Sequence, residues 1–203
     1  TLRQYRNYAN LAESYSTIPS RFLAITHGVS AVGKSHVAMR LVEALGAVRL
    51  RSDVERKRLF GEQQVENTLQ AGIYNQDASA ATYARLNEIA DTVLRAGYPV
   101  VLDATFLKRA QRDAAAQVAE ATGAPFLILD CNAPQAVITS WLAQRQADKN
   151  DPSDATLAVI EEQQASRDPL TAEELLLSKR VETNESGTLD ALVGHIRQRL
   201  PGL

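Results

Sequence analysis

The chain has 203 residues, a net charge of −2 and 23% charged residues. That length suits one domain with a substantial core, and the charge balance excludes the basic footprint of a protein that coats long nucleic acids, though not the binding of a single nucleotide or of a strand end. No apolar run is long enough to span a membrane, no signal peptide is visible, and the single cysteine, Cys131, has no internal disulfide partner and reads as a buried thiol, which fits a reducing cytoplasm.

Residues 1–20 carry Leu2, Tyr5, Tyr8, Leu11, Ala12 and Tyr15 at near-helical spacing and stop at Pro19. This segment reads either as a packing helix or as the tail of a linker from an upstream domain, in keeping with a start at Thr1 rather than Met. Phe22 to Thr26 is an apolar run and reads as a buried strand. His27 is expected to be a strand-end residue. Gly28-Val29-Ser30-Ala31-Val32-Gly33-Lys34-Ser35 then fits G-x-x-x-x-G-K-[S/T], the phosphate-binding P-loop. A helix follows, with Val37, Ala38, Leu41, Val42 and Leu45 at helical spacing and Gly46 as its stop. Strand, glycine loop and helix stand in the order the motif requires.

Val48 to Ser52 reads as a second strand ending at Asp53, and Val54 to Phe60 as a charged helix. Residues 61–72 are polar and irregular and read as a mobile loop. A long helix is predicted from about Gln76 to Ala96, with Tyr83, Leu86, Ile89, Ala90, Val93 and Leu94 on its apolar stripe and Gly97 as its stop. Pro99 to Asp103 is a third strand, Lys108 to Thr122 a helix, and Phe126 to Asp130 a fourth strand. Ala133 to Lys149 is a helix, Asp154 to Ser166 another with Asp151 or Ser153 as its cap, Lys179 to Thr183 a weak fifth strand, and Leu189 to Leu200 a closing helix. The alternation predicts an α/β fold: a parallel sheet with helices on both faces and ligands at the carboxyl ends of the strands.

The chemistry-bearing residues cluster at those strand ends. Gly28 and Gly33 permit a backbone that turns N–H groups inward around a polyphosphate. Lys34 brings a compact cation to the β- and γ-phosphates, and the Ser35 hydroxyl is a ligand for Mg²⁺. Asp103 ends an apolar strand and reads as a metal-side carboxylate, or as a helix cap; Thr105 after it reads as a phosphate or acceptor contact, or as a cap. Asp53 reads as the residue that accepts a proton from, or orients, an acceptor hydroxyl, and Arg56 as an anion holder; the competing reading makes Asp53 an N-cap and Arg56, Lys57 and Arg58 a solvated face. Arg145 precedes a polar, turn-rich stretch from Gln146 to Asp154 that reads as a lid, and a lid arginine stabilises charge on a transferring phosphoryl group. Arg112 and Arg167 are weaker candidates for that role. There is no Asn-Lys-x-Asp run of the kind that reads guanine, so ATP rather than GTP is expected. Residues 183–187, after the last strand, are candidates for bordering the base.

The set GVSAVGKS, LRSDVERKRLFG, VLDATFLKRAQR and QRQADKNDPSDA resembles the P-loop kinases of the AAA_33 type. The resemblance covers most of residues 21–185. It extends to the kinase half of phage polynucleotide kinase and, more distantly, to zeta toxins and gluconate kinases. It is nearest to the ATP-binding kinase domain that often follows an aminoglycoside-phosphotransferase-like domain in one chain. The resemblance implies a three-layer P-loop NTPase fold, a five-stranded sheet in the order 2-3-1-4-5 and a helical lid at about 145–170 within a domain spanning 21–203. It gives nucleotide phosphates to Gly33, Lys34 and Ser35 within a nucleotide-binding set running from Gly28 to His36, catalysis to Lys34, Asp53 and Arg145, acceptor binding to Arg56 and Thr105, and the metal to Ser35 and Asp103. Two positions depart from the pattern: Val32, where a small Ser or Gly is usual, and His36, where a small hydroxyl residue is common.

The function expected is ATP- and Mg²⁺-dependent transfer of the γ-phosphate to a hydroxyl of a small molecule or a nucleic-acid end, with no membrane partner and with an upstream fused domain as a further expectation. The alternatives are a toxin-like nucleotide-sugar kinase and a non-catalytic ATP-sensing module that controls a fused or partner domain.

Overall fold

The computed structural model describes residues 2–6, 8–9, 20–61, 72–147 and 156–200, with backbone alone described for 72–76 and 145–147. The strands are β1 (Leu23–His27), β2 (Val48–Arg51), β3 (Val100–Asp103), β4 (Phe126–Asn132) and β5 (Ser178–Glu182). The helices are α1 (Lys34–Leu45), α2 (Ser52–Phe60), α3 (Gly72–Arg95), α4 (Arg109–Thr122), α5 (Gln135–Ala147), α6 (Leu157–Ser166), α7 (Ala172–Leu177) and α8 (Thr188–Arg199).

The five strands form one parallel sheet in the order β2-β3-β1-β4-β5. β1 lies at its centre and is buried along its whole length, so both of its faces need cover. Phe22 and Ala24 pack on one side with Val37, Ala38 and Leu41 of α1 and with Leu192 and Ile196 of α8. Leu23 and Ile25 pack on the other with Leu86, Ala90 and Leu94 of α3 and with Ala115 and Ala119 of α4. Three layers result. In-register pairing sets His27 beside Asp130 across β1 and β4, and Arg51 beside Asp103 across β2 and β3. Every crossover therefore delivers its loop to the same edge of the sheet.

Several boundaries differ from the sequence reading. β2 stops at Arg51 and α2 begins at Ser52, so Asp53 lies in the first turn of a helix and not at a strand end. β4 runs two residues past Asp130, to Asn132. The cap of α6 is Thr156, whose hydroxyl accepts from the Val159 N–H, in place of Asp151 or Ser153; both of those lie outside the described residues. Leu2, Tyr5 and Tyr8 of the first segment are exposed. The loop read at 61–72 lies outside the described residues from 62 to 71, and Gly72 already belongs to α3. Among the described residues no helix is long and apolar enough to cross a membrane.

The element missed outright is α7. It is fastened by a reciprocal cap in which Thr171 accepts from the Glu174 N–H and Glu174 accepts from the Thr171 N–H. Arg112 secures the same segment. Its side chain is 1% exposed; Nε and Nη2 donate to the two Glu174 oxygens at 2.5 and 3.0 Å, and Nη1 and Nη2 donate to the carbonyls of Phe106, Leu107, Asp168 and Pro169. Arg112 is therefore consumed in joining α4 to the chain before α7. It is no lid cation.

Removing that guanidinium leaves the Glu174 carboxylate without its cation and takes a donor from four carbonyls, of which Leu107 keeps the Asp168 N–H. Arg112→Met should lower stability by about 3–5 kcal/mol, read as a shifted midpoint in chemical denaturation; a loss below about 1 kcal/mol, the worth of an ordinary single hydrogen bond, would contradict the role.

Candidate active site

The loop between β1 and α1 has the backbone its glycines foretold. Gly28 has φ 141°, and a Cβ there would lie 2.7 Å from the Cys131 carbonyl oxygen. Gly33 has φ 89°, and a Cβ there would lie 2.9 Å from the Thr183 Cβ. Ala31 also has positive φ, at 62°, a conformation costly for a residue with a side chain. Val32, the departure from the usual pattern, is buried in the core with Val29 and Ala31, so the loop accommodates its bulk by packing it. His36 is exposed on the first turn of α1.

The loop is braced from two sides. The Gly28 N–H donates to the Thr105 carbonyl at 3.1 Å. The Thr183 hydroxyl lies 2.7 Å from the Val32 carbonyl and 3.0 Å from the Asn132 carbonyl, tying the loop to the ends of β4 and β5. Thr183 thus holds the phosphate loop itself. Among the described residues no protein acceptor takes the backbone N–H groups of Ala31, Val32 or Gly33, so those donors are open to an anion. The Lys34 ammonium donates to the Val29 carbonyl at 2.6 Å, lying back over the loop.

Asp103 is the electrostatic centre of the site. Its side chain is 4% exposed. Its Oδ2 accepts from the Ser35 hydroxyl at 2.9 Å and from Arg49 Nε and Nη2 at 2.9 and 2.5 Å, and Arg51 Nε stands 3.8 Å away. The helix-cap reading of Asp103 fails, because α4 starts at Arg109 with Lys108 before it. Ser35 and Asp103 do come together, as two hard oxygen donors at the base of the phosphate loop. That donor set fits a Mg²⁺ ion beside a nucleotide.

Asp53 stands on the rim. Its carboxylate is 41% exposed and lies 3.8 Å from Arg51 Nη2, so one arginine stands at this distance from both carboxylates. The protein crowded around Asp53 pushes its carboxyl above the ordinary value; Arg51 opposes this and Asp103 adds to it. The N-cap alternative is excluded, since Arg51 occupies that position of α2 with no side-chain cap bond. One turn on, Arg56 has a buried Nε with no hydrogen-bond partner. The Thr105 hydroxyl pairs with the Tyr83 hydroxyl at 3.0 Å, and the Tyr83 hydroxyl accepts the Phe106 N–H at 3.2 Å while the two rings meet edge to face. This holds Phe106 at its positive φ of 46°.

His27 ends β1 as expected, with a half-buried partner the sequence reading lacked. Its Nδ1 lies 2.8 Å from Asp130 Oδ1. Burial pushes the Asp130 carboxyl up, but the bond and charge from His27 and the Asn132 amide outweigh it and hold it below the ordinary value. Cys131 is buried as expected, its thiol pushed up to about 12 by burial, so it stays protonated. Arg145 lies in the last turn of α5; of the lid expected at about 145–170, residues 148–155 lie outside the described residues. Arg167 is exposed at the end of α6.

The contacts most easily missed from sequence are Arg49, Arg51, Thr183 and Gln163. Gln163 of α6 accepts the Ser30 N–H at 2.8 Å and donates to the Ser30 hydroxyl at 3.1 Å.

The AAA_33 family, described as an AAA domain, matches residues 23–170. An uncharacterized protein of Mycobacterium tuberculosis (strain H37Rv), Rv2004c, is 28% identical over 152 residues, which is 72% of this chain and 30% of that protein; the chain spans under a third of the length of the curated relatives it matches. Among solved structures, a sugar kinase from Janibacter sp. HTCC2649 superposes with a TM-score of 0.66 at 18% identity, covering 91% of this chain and 97% of its own. The Mycobacterium tuberculosis APS kinase CysC, solved with AMPPNP and APS, superposes with a TM-score of 0.59 at 18% identity, covering 89% and 97%. The fold is that of P-loop kinases.

Thr183→Val keeps the shape and removes the hydroxyl that bridges two carbonyls. It should cost about 1–2 kcal/mol in denaturant unfolding; stability unchanged within about 0.5 kcal/mol would show that the brace is not needed.

Proposed function

The chain belongs to the AAA_33 family, and from that premise we propose that it is an ATP- and Mg²⁺-dependent phosphotransferase, moving the γ-phosphate of ATP to a hydroxyl of a small molecule or a nucleic-acid end. The observation that carries this reading is the pairing of two unlike carboxylates across Arg51. Asp103, buried and bonded to Ser35, is suited to the metal side. Asp53, 41% exposed and 3.8 Å from the same arginine, is open to an acceptor. A module that only senses ATP has no need of the second carboxylate.

In this reading the open N–H groups of Ala31, Val32 and Gly33 hold phosphate oxygens, and Lys34 swings from the Val29 carbonyl onto the β- and γ-phosphates. Ser35 and Asp103 would hold Mg²⁺, which would supply positive charge to offset that of the phosphates. Asp53 orients the acceptor hydroxyl and takes its proton. Its raised affinity for protons makes it a better base than an ordinary carboxylate. The unpartnered Arg56 Nε and the Thr105 hydroxyl, set by Tyr83, bind the acceptor. Arg145 and the stretch from about 145 to 170 form the lid. The AMPPNP bound to the structurally similar APS kinase supports an adenine nucleotide as donor. Since the matched relatives extend well beyond the aligned 152 residues, we also propose that this domain works beside another in one chain.

The test is ADP release across a panel of hydroxyl metabolites, nucleotide sugars and 5′-hydroxyl oligonucleotides, with Asp53→Asn as control. Wild type should turn over with one acceptor class, and Asp53→Asn should bind ATP as tightly but transfer at least about 10²-fold more slowly. Tight ATP binding without acceptor-stimulated turnover, or full transfer by Asp53→Asn, would refute the proposal. The pH profile checks the base separately. Asp53 must be deprotonated to act, so the acid limb of kcat/KM should fall at a pH above the ordinary carboxylate range and vanish in Asp53→Asn.

A further inference from the structure

We infer that Arg49 is the built-in counter-cation of Asp103 and makes divalent-cation binding at Ser35 and Asp103 conditional on the phosphates of the nucleotide. The inference rests on Ser35 and Asp103 being the metal side of the site.

Arg49 lies on β2, an edge strand of the sheet, with its side chain 19% exposed. The register pairs it with Val101, two residues before Asp103, so its guanidinium reaches diagonally to the carboxylate. There it donates twice to one oxygen, from Nε at 2.9 Å and from Nη2 at 2.5 Å, both to Oδ2. Ser35 donates its hydroxyl proton to the same oxygen at 2.9 Å. Three donors thus converge on a single oxygen of a side chain that is 4% exposed. A buried carboxylate without a cation is costly, and Arg49 supplies that cation from within the chain.

The same pairing decides what a divalent cation meets. The Ser35 hydroxyl keeps its lone pairs for a metal while its proton is on Asp103. The carboxylate beside it already carries a full positive charge in direct contact. Arg51 stands 3.8 Å from both Asp103 and Asp53, and Lys34 and Arg56 also act on Asp53 through their charge. Cations therefore outnumber carboxylates here, and a bare dication is repelled by Arg49 as much as it is drawn by Asp103. Among the described residues no group of three His, Cys, Asp or Glu side chains is placed to hold a metal ion. A small hard cation in such a place relies on substrate phosphates for its remaining ligands. Phosphates at the open N–H groups of the loop reverse the charge balance and add those oxygens. Arg49 sets that order: Asp103 is neutralised by the protein first and shared with a metal only when the nucleotide brings negative charge.

The test is electron paramagnetic resonance titration of the whole chain with Mn²⁺, without nucleotide, each variant being checked for an unchanged circular dichroism spectrum. Arg49→Gln keeps a donor for Asp103 but loses the charge, and should bind Mn²⁺ at least about tenfold more tightly than wild type. Arg49→Lys keeps the charge and should stay within about threefold of wild type. Adding Asp103→Asn to Arg49→Gln should erase the gain. No gain in Arg49→Gln, an equal gain in Arg49→Lys, or a gain that survives Asp103→Asn would overturn the inference. Asp103→Asn alone is a check that needs no change at Arg49. It should leave nucleotide-free Mn²⁺ binding within about twofold of wild type, and a larger fall would overturn the inference as well. The metal reading itself is tested by calorimetry of wild type with AMPPNP, which should bind at least about tenfold more weakly once Mg²⁺ is chelated. Equal affinity with and without Mg²⁺ would overturn that reading of Ser35 and Asp103.

Discussion

The site depends on one buried carboxylate. Asp103, at the end of β3, is out of water and must find partners within the protein. It finds Ser35 at the start of α1 and Arg49 on β2, with Arg51 close by. One carboxylate thus fixes the helix that follows the phosphate loop, the neighbouring strand and the arginine that also neighbours Asp53. If Asp103 lost its charge, Ser35 and two arginines would lose their common anchor.

The parallel sheet makes this convergence possible. Equal strand directions bring Gly28, Arg51, Asp103 and Thr183 to one edge, and the register between β2 and β3 sets Arg51 opposite Asp103. The loop is then held where it must be rigid and open where it must bind. Thr183 and Thr105 take up backbone groups on its flanks, while the N–H groups at its turn are left to a ligand. That is the arrangement preorganised electrostatic binding requires, with donors fixed before the anion arrives. Arg112 has a parallel task away from the chemistry, holding the chain after α6 against α4 through Glu174 and so fixing the far end of the helix that touches the loop.

Most of this was legible where the signal was local. The glycine loop, the helix after it and the carboxylate closing β3 follow from a motif and from alternating patterns in the chain, whereas the sheet order came only with the resemblance to P-loop kinases. Asp53 was placed on the wrong element, because the helix starts at Ser52, one residue before it. The part that stayed hidden is tertiary. Arg49 and Arg51 lie within the second strand, and nothing in their spacing announces Asp103 as their partner. Thr183 and Gln163 reach the loop from 151 and 133 residues away. α7 is too short for a periodic signal, yet Thr171-Ala172-Glu173-Glu174 has the spacing of a reciprocal cap and was the available clue. Arg112 was weighed only as a weaker lid candidate; the fold shows it 1% exposed and paired with Glu174.

The central claim is that this loop grips the phosphates of a nucleotide through Lys34 and its open N–H groups. The most direct measurement is a calorimetric titration of wild type and Lys34→Ala with AMPPNP and Mg²⁺. The account predicts one site per chain in wild type and an affinity at least about tenfold weaker once the cation is gone. Equal affinity in the two proteins, or no binding by wild type, would contradict it.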